Sequence, residues 1–101
     1  QMQSSFSFGP LLMDLSRHEV TVKRNEVSLT AKEFGLLEHL LRHPGRVLSR
    51  DVLLNAVWGY DYYGTTRTVD VHIRRLREKV EPEGAKLIKT IRGTGYRFSV
   101  E

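Results

Sequence analysis

Residues 67–79, "RTVDVHIRRLREK", decide the fold of this chain because they combine the spacing of a buried helix with a dense basic face. At about 100° per residue, one line along such a helix carries apolar side chains, namely Val69, Ile73, Leu76 and Val80. The other side carries or flanks three arginines within four positions, Arg74, Arg75 and Arg77. The stretch predicts a helix over residues 67–80 with one face in a core, one face in solvent, and Thr66 as its N-cap.

Length and charge distribution narrow the class of protein. A chain of 101 residues fits one domain with a modest core. Residues 1–66 hold seven basic and seven acidic side chains, whereas residues 67–97 hold nine and four, so the net charge of +4 comes from the last third. A localised basic surplus is typical of a polyanion binder. The alternative is an ordinary solvated charged face.

The residues before this helix predict short strands and then two helices. Apolar and polar residues alternate through the first thirty positions, with turns predicted at Gly9-Pro10 and Arg24-Asn25, which indicates antiparallel strands. The period changes in "LTAKEFGLLEHLLRHPG", residues 29–45, where Thr30 and Glu33 form a capping box. The apolar stripe of this first helix consists of Phe34, Leu37, Leu40 and Leu41.

A second, shorter helix and a hairpin complete the pattern. Ser49 is the predicted cap of the second helix, which ends at Trp58-Gly59. The last run, "KLIKTIRGTGYRFSV", alternates on both sides of a glycine-flanked turn and predicts a β-hairpin over about residues 87–99. Arg92 at its tip is suited to a narrow minor groove. The order of helix pair, basic helix and basic hairpin predicts a winged helix-turn-helix of the α+β class, over residues 6–101, with residues 1–5 as a linker or an expression remnant.

Three runs carry a resemblance to a known family: "LTAKEFGLLEHLLRHPGRVLSRDVLLNAVWG", "RTVDVHIRRLREKVEP" and "IKTIRGTGYRF". The chain resembles the effector domain of OmpR/PhoB-type bacterial two-component response regulators from about Phe6 to Val100. The resemblance implies an N-terminal four-stranded antiparallel sheet, three helices and a C-terminal wing. It also implies sequence-specific binding to promoter DNA, with the third helix in the major groove and the wing in the minor groove. The phosphorylatable receiver domain of full-length members has no counterpart in these residues and is an expected partner in the whole protein.

The same resemblance implies which side chains touch DNA. The base contacts that it implies are Asp70, Val71, Arg75, Arg77 and Arg92. The implied phosphate contacts are Trp58, Arg67, Thr68, His72, Arg74, Thr90 and Tyr96. The residue types suit these roles, since arginine can pair with a guanine edge, aspartate can accept from cytosine, and a valine methyl can contact thymine.

Several of these residues have an equally good structural interpretation. Trp58 and Tyr96 suit packing at the edge of the core as well as donation to phosphate. Asp70 and Arg74 have the spacing of a helix-stabilising pair. Gly93 and Gly95 suit a tight turn whatever the wing contacts.

The loop "GYDYYGTT" between the second and third helices is polar and aromatic. Its residues Tyr60, Asp61, Tyr62 and Tyr63 either pack on the scaffold or form a protein-binding patch, and the resemblance implies contact with RNA polymerase. The resemblance also implies binding as pairs, with a second copy on direct repeats about one helical turn apart.

Other classes of function find less support. His39 and His43 have the spacing of two metal ligands on a helix, but the sequence offers no third ligand, so neither a metal nor another cofactor is expected. No pairing of nucleophile and base is recognisable, and an enzyme is not expected. The serious rival is a basic amphipathic helix that binds an anionic membrane surface or a groove of a protein partner. With no cysteine, no apolar run near the roughly 18 residues of a membrane span and no recognisable signal peptide, a cytoplasmic protein that does not bind membranes is expected.

Overall fold

The computed structural model describes residues 4–59, 61–81 and 86–99. Within these ranges the chain forms seven strands and three helices. Their order is β1 (Ser5–Phe8), β2 (Leu11–Asp14), β3 (Glu19–Val22), β4 (Asn25–Val27), α1 (Ala31–Arg42), β5 (Val47–Ser49), α2 (Arg50–Trp58), α3 (Arg67–Val80), β6 (Ile88–Ile91) and β7 (Gly95–Phe98). The predicted α+β class with an N-terminal sheet, three helices and a C-terminal hairpin is confirmed.

The first four described strands form an antiparallel sheet in sequence order, here named the N-terminal sheet. Alternate side chains point into the core, and the pairs Phe6–Met13 and Leu11–Val22 lie opposite each other in the register. The predicted turn at Arg24-Asn25 is one residue out, because Lys23 and Arg24 both adopt positive φ, at 53° and 68°, and Asn25 already belongs to β4. Two-residue loops of this kind are the commonest connections of a β-hairpin. The preference of residue types for turns located this loop only to within one residue.

Helix α1 begins with the predicted capping box. The backbone N–H of Glu33 donates to Thr30 Oγ1 over 3.2 Å, and the N–H of Thr30 donates to Glu33 Oε1 over 2.9 Å. The predicted apolar stripe is buried, and Leu36 is buried beside it. The helix packs against both α2 and α3, so it forms the centre of the helical layer.

Between the first two helices lies a strand that the sequence pattern did not predict. The three residues of β5, Val47–Ser49, pair with β7, and β7 pairs with β6, giving the order β5-β7-β6 in what we name the wing sheet. Ser49 then caps α2 as predicted, its Oγ accepting from the N–H of Val52 over 3.1 Å. A strand of three residues is too short to show a clear alternation of apolar and polar residues, so it can be recognised only from its pairing with another strand.

Helix α3 has the predicted bounds and orientation. Its apolar stripe is fully enclosed, with no exposed surface at Val69, Ile73, Leu76 or Val80. Thr66 occupies the predicted N-cap position, but its side chain makes no capping bond, because its backbone has helical dihedrals of φ −64° and ψ −14°. A capping hydroxyl needs an extended backbone at its own residue. The Oγ1 of Thr65, one residue earlier, accepts from the N–H of Arg67 over 3.3 Å.

The two wing glycines serve different purposes. Gly93 lies in the turn with φ at 75°, as a tight turn requires. Gly95 is buried in β7, where an added Cβ would lie 2.0 Å from the carbonyl oxygen of Leu48 in β5. The prediction that both glycines serve the turn is therefore wrong for Gly95, which permits the close approach of two strands. Nowhere in the described parts of the chain is a helix long and apolar enough to cross a membrane.

Candidate nucleic-acid interface

The outward face of α3 presents cationic side chains and one apolar side chain to solvent. Arg67, Arg74 and Arg75 are exposed, and Val71 among them is 39% exposed. The core stripe holds this face outward because the two sets lie on opposite sides of the same helix. Helix α3 therefore has one buried apolar face and one exposed cationic face.

The wing sheet lies against the same helix, and its tip carries Arg92. Arg92 is exposed in the turn between β6 and β7, next to Gly93. Arg77, on the helix flank, donates from both Nε and Nη2 to the carbonyl oxygen of Ile88, at 3.1 and 2.9 Å. Its Nη2 also donates to Thr90 Oγ1 over 2.6 Å. Arg77 thus joins α3 to the wing sheet through hydrogen bonds within the domain.

A second junction joins the first turn of α3 to the wing sheet through Asp70. One oxygen of Asp70, Oδ1, accepts from Arg50 Nε over 2.8 Å and from the hydroxyl of Tyr96 over 2.5 Å. Burial alone would raise the pKa of the Asp70 carboxyl, but the bonds from Tyr96 and Arg50 outweigh it and hold that pKa below the ordinary value. Burial, together with the bond to Asp70, raises the pKa of Tyr96 to about 12. Asp70 is therefore ionised and Tyr96 neutral at neutral pH.

An aromatic cluster lies beside the start of α3. The Trp58 ring meets His72 edge to face, with centroids 5.0 Å apart, and lies 6.2 Å from Tyr62. The hydroxyl of Tyr62 is 3.4 Å from Thr68 Oγ1. The cluster collects on one side of the helix three side chains that the sequence assigned to phosphate, Trp58, Thr68 and His72.

The loop that follows Trp58 is exposed where it is described. Asp61 and Tyr62 are exposed, and the Tyr63 side chain is completely so. The prediction for Tyr60 lies outside the described residues. Tyr62 contacts Trp58 and Thr68, which partly supports the interpretation that this loop packs on the scaffold. The side chain of Tyr63 lies wholly in solvent.

The structure places the predicted contact residues at different depths. The exposed ones are Arg67, Val71, Arg74, Arg75 and Arg92, together with Thr90, whose hydroxyl accepts from Arg77. Half-buried in the aromatic cluster are Trp58, Thr68 and His72. Asp70 and Arg77 are half-buried and engaged within the domain, while Tyr96 is only 4% exposed. The predicted Asp70–Arg74 pair is replaced by Asp70–Arg50. Sequence reasoning missed Arg50 because its partner is 20 residues away, beyond any helical spacing.

The histidine pair on α1 does not extend to a metal-binding group. His43 Nδ1 lies 2.9 Å from the carbonyl oxygen of His39, and burial together with the neighbouring His43 lowers the pKa of His39. In the described portion of the chain, no group of three or more His, Cys, Asp or Glu side chains is placed to hold a metal ion. The two imidazole rings contact each other, with their centroids 4.8 Å apart.

Comparison with known proteins agrees with this geometry. The profile of the family described as "Transcriptional regulatory protein, C terminal" matches residues 24–98. The sensory transduction protein RegX3 of Mycobacterium leprae is 50% identical over 92 residues, which cover 89% of this chain and 46% of that protein. The chain thus spans less than half the length of this relative.

Two solved structures share the fold over nearly the whole chain. The RstA DNA-binding domain of Klebsiella pneumoniae, solved in complex with the RstA box, has a TM-score of 0.85 and 36% identity, covering 96% of this chain and 98% of that one. The response regulator DrrB of Thermotoga maritima, described as an OmpR/PhoB homologue, has a TM-score of 0.88 and 33% identity, covering 96% and 45%.

The fold and the exposed basic helix define a winged helix-turn-helix domain of the transcription-regulating, DNA-binding class. Within that class, the chain belongs to the family of C-terminal domains of transcriptional regulatory proteins, as found in OmpR/PhoB-type response regulators.

Proposed function

We propose that this domain binds promoter double-stranded DNA sequence-specifically, with α3 in the major groove and the tip of the wing in the adjacent minor groove. The observation that carries the proposal is the exposed face of α3, where Arg74, Arg75 and Val71 project together while the opposite face is enclosed in the core. A helix of this width fits the major groove of B-form DNA. Arg92 on the attached wing extends the same surface.

Base selection falls to the side chains that are free to project. Arg75 is the main base reader, because a guanidinium can form two bonds with a guanine edge. Val71 adds an apolar contact suited to a thymine methyl, and Arg92 enters the minor groove. The family resemblance also implies base contacts by Asp70 and Arg77, although both side chains are hydrogen-bonded within the domain.

Phosphate contacts fix the register of the helix on the duplex. Arg67, Arg74 and Thr68 start or flank the exposed face of α3, and Trp58 and His72 lie beside them. Thr90, on β6, offers a hydroxyl from the wing. Tyr96 carries the remaining assignment to phosphate, although its hydroxyl donates to Asp70.

Selection from random duplexes with the purified domain, followed by gel shift on the selected sequence, tests the proposal. If about five or six phosphates are neutralised, the logarithm of affinity should fall with the logarithm of salt concentration with a slope near −5. A domain that shows no preference among duplexes, or whose affinity does not change with salt, would contradict the proposal.

Two arginine variants test the division between reading and anchoring. Arg75→Ala should relax the preference at one base pair by about 1–3 kcal/mol. Arg67→Ala should weaken binding evenly across sequences and lower the salt slope by about one. Equal losses of selectivity in both variants would contradict the division.

The rival, a basic helix on an anionic membrane surface or in a partner's groove, requires a free apolar stripe on α3. That stripe is fully enclosed in this domain. Co-sedimentation with anionic vesicles, set against gel shift with duplex DNA, separates the two.

The further partners belong to the whole protein. We propose that RNA polymerase contacts the loop at Asp61, Tyr62 and Tyr63, because Tyr63 is a wholly exposed aromatic residue. A second copy would bind an adjacent direct repeat, and a phosphorylated receiver domain would control the pairing in a cytoplasmic phosphorelay. Catalysis and a cofactor have no place in this proposal.

A further inference from the structure

Asp70 is held by groups of the domain itself at the point where α3 meets the wing sheet. Its Oδ1 accepts from the first residue of α2, Arg50, and from Tyr96 on β7, the central strand of the wing sheet. Tyr96 is 4% exposed, so its hydroxyl has little access to solvent. A carboxylate that turned toward a base would leave this buried hydroxyl without its acceptor, which is costly.

We propose that Asp70 is a positioning residue, which fixes the orientation of α3 relative to the wing through Tyr96 and Arg50 so that major-groove and minor-groove contacts form together. The inference rests on the proposed DNA binding and changes the role of one side chain within it. Asp70 then supports base reading by Arg75 and Arg92 and does not read a base.

The geometry supports this because α3 is attached to the wing sheet at two points. Asp70 reaches β7, and Arg77 reaches Ile88 and Thr90 on β6. The two residues are seven positions apart, which is about two turns or 10 Å along the helix. The enclosed apolar stripe holds α3 in the domain, and the polar attachments add directed contacts between α3 and the wing sheet. Two attachments to different strands fix both its rotation and its tilt.

Tyr96 joins the two attachments. The guanidinium carbon of Arg50 lies 5.8 Å from the centre of the Tyr96 ring, and that of Arg77 lies 5.4 Å from it. Cations at this distance are attracted to the face of the ring. The ring, the carboxylate and the two guanidinium groups therefore form one connected unit, in which hydrogen bonds supply direction that apolar packing does not.

Two variants distinguish a positioning Asp70 from a base-reading one. Tyr96→Phe keeps the buried ring and removes only the donor to Asp70. Asp70→Asn keeps an oxygen acceptor but changes what the side chain would read, since asparagine pairs with adenine. Affinity is measured for a panel of duplexes in which each base pair of the selected site is changed in turn.

If Asp70 positions the helix, both variants should bind every duplex about three- to tenfold more weakly, with the order of preference unchanged. If Asp70 reads a base, Asp70→Asn should change the preference at one base pair, whatever Tyr96→Phe costs through the loss of its own phosphate contact. The second pattern overturns the inference.

A double-mutant cycle with Arg92→Ala tests the coupling between helix and wing. In the wild-type domain, Arg92→Ala should weaken binding about tenfold, the size of one good polar contact to DNA. In the Tyr96→Phe background the same change should cost about threefold or less, because the wing is no longer held at the right angle. Equal factors in both backgrounds contradict the inference.

A charge-matched control is Glu78→Gln, which removes one exposed carboxylate from the same helix. It should leave affinity unchanged or slightly higher, and a loss equal to that of Asp70→Asn would contradict a specific role for Asp70. Circular dichroism melts confirm that each variant is folded at the temperature of the assay. Failure of the wild-type domain to select any duplex refutes the proposed function itself, whereas selective wild-type binding with a base-specific effect of Asp70→Asn refutes this inference alone.

Discussion

The N-terminal sheet and the wing sheet are both small and antiparallel, but they are attached to the helices in different ways. The N-terminal sheet pairs strands in sequence order and contributes buried apolar side chains such as Phe6, Leu11 and Met13. The wing sheet pairs β5 with β7, so that Ser49 lies opposite Gly95, 46 residues later in the chain, and it makes directed polar contacts with Asp70 and Arg77 of α3.

This difference assigns the two sheets different duties. Apolar burial stabilises in proportion to area but is non-directional. Hydrogen bonds weaken steeply when their angle changes, so they specify orientation. The N-terminal sheet therefore contributes mainly to the stability of the domain, and the wing sheet also sets the shape of the surface that meets DNA.

The largest expected effect is that of Gly95→Ala in the wing sheet. The new Cβ would lie 2.0 Å from the carbonyl oxygen of Leu48, and both strands would have to separate. We expect a loss of about 4 kcal/mol in the free energy of unfolding, among the large effects of single substitutions. Chemical denaturation of the purified variant measures it.

The matched control is Gly93→Ala in the adjacent turn. No atom of the described residues lies within 4 Å of its added Cβ, so the positive φ of Gly93 is what opposes the substitution, at a cost of about 1 kcal/mol. Equal costs at the two glycines would mean that turn conformation, and not strand approach, governs both.

Met13→Ala tests the apolar attachment of the N-terminal sheet. Met13 is fully buried, and its truncation should lower the free energy of unfolding by about 3 kcal/mol. The affinity of the folded protein for DNA should not change, because Met13 lies in the enclosed core, whereas the side chains proposed to contact DNA project from α3 into solvent. Loss of affinity in samples that remain folded would show that this sheet also orients the DNA surface.

Glu33→Gln tests whether a polar contact away from the wing serves stability. Glu33 is buried on α1 and accepts from Lys79 of α3 over 2.6 Å. Glutamine keeps the capping box but loses the charge pair. We expect a loss of about 1–2 kcal/mol at pH 7, discounted because Lys79 reaches solvent. Glu38, which is half-buried on the same helix and pairs with Arg42, is the comparison, and Glu38→Gln should cost about 0.5 kcal/mol or less.

The contact between Glu33 and Lys79 also predicts how the stability of the domain depends on pH. Burial by itself raises the pKa of Glu33, but the bonds from Lys79 and Thr30 more than offset it and hold that pKa below its ordinary value of 4.5. A carboxyl whose pKa is lowered by folding stabilises the fold at pH values above its ordinary pKa. This contribution is lost as the pH falls through the pKa of the folded state. Wild-type stability should therefore fall below about pH 4.5, and Glu33→Gln should lose less over that interval. Parallel acid curves for the two proteins would contradict this.

The smallest effect is expected for Thr90→Val, which removes one acceptor of Arg77 from the wing sheet. Because Arg77 keeps its bonds to Ile88, the free domain should lose only about 0.5–1 kcal/mol. Thr21→Val, in the middle of the N-terminal sheet, is the control and should be neutral or slightly stabilising. Measuring the domain without DNA separates this effect from any phosphate contact of Thr90. Equal effects of the two substitutions would remove the distinction between the sheets.

Periodicity predicted those parts of the fold that depend on neighbours in sequence. The bounds of α3, the capping box of Thr30 and the buried stripe of Val69 and Ile73 follow from spacing, and the structure confirms them. Strand β5 was not predicted, because three residues carry too little pattern. The role of Gly95 was not predicted either, because the Leu48 carbonyl oxygen that lies close to it is remote in sequence.

The candidate site shows the same division. The sequence placed Val71 and Arg75 on the exposed side of α3, because the angular position of a residue on a helix is fixed by its number. It did not show that Asp70 and Arg77 are engaged within the domain, since their partners come from α2 and the wing sheet.

Sequence alone therefore determined the order of the three helices between the N-terminal strands and the final hairpin, the basic last third and the two faces of α3, because each arises from local spacing or from composition. Tertiary structure decided which polar side chains remain free to meet DNA. Tyr96, Arg50 and Asp70 meet only when α2, α3 and β7 pack together, and pairing between distant segments is set by the whole fold rather than by any one stretch.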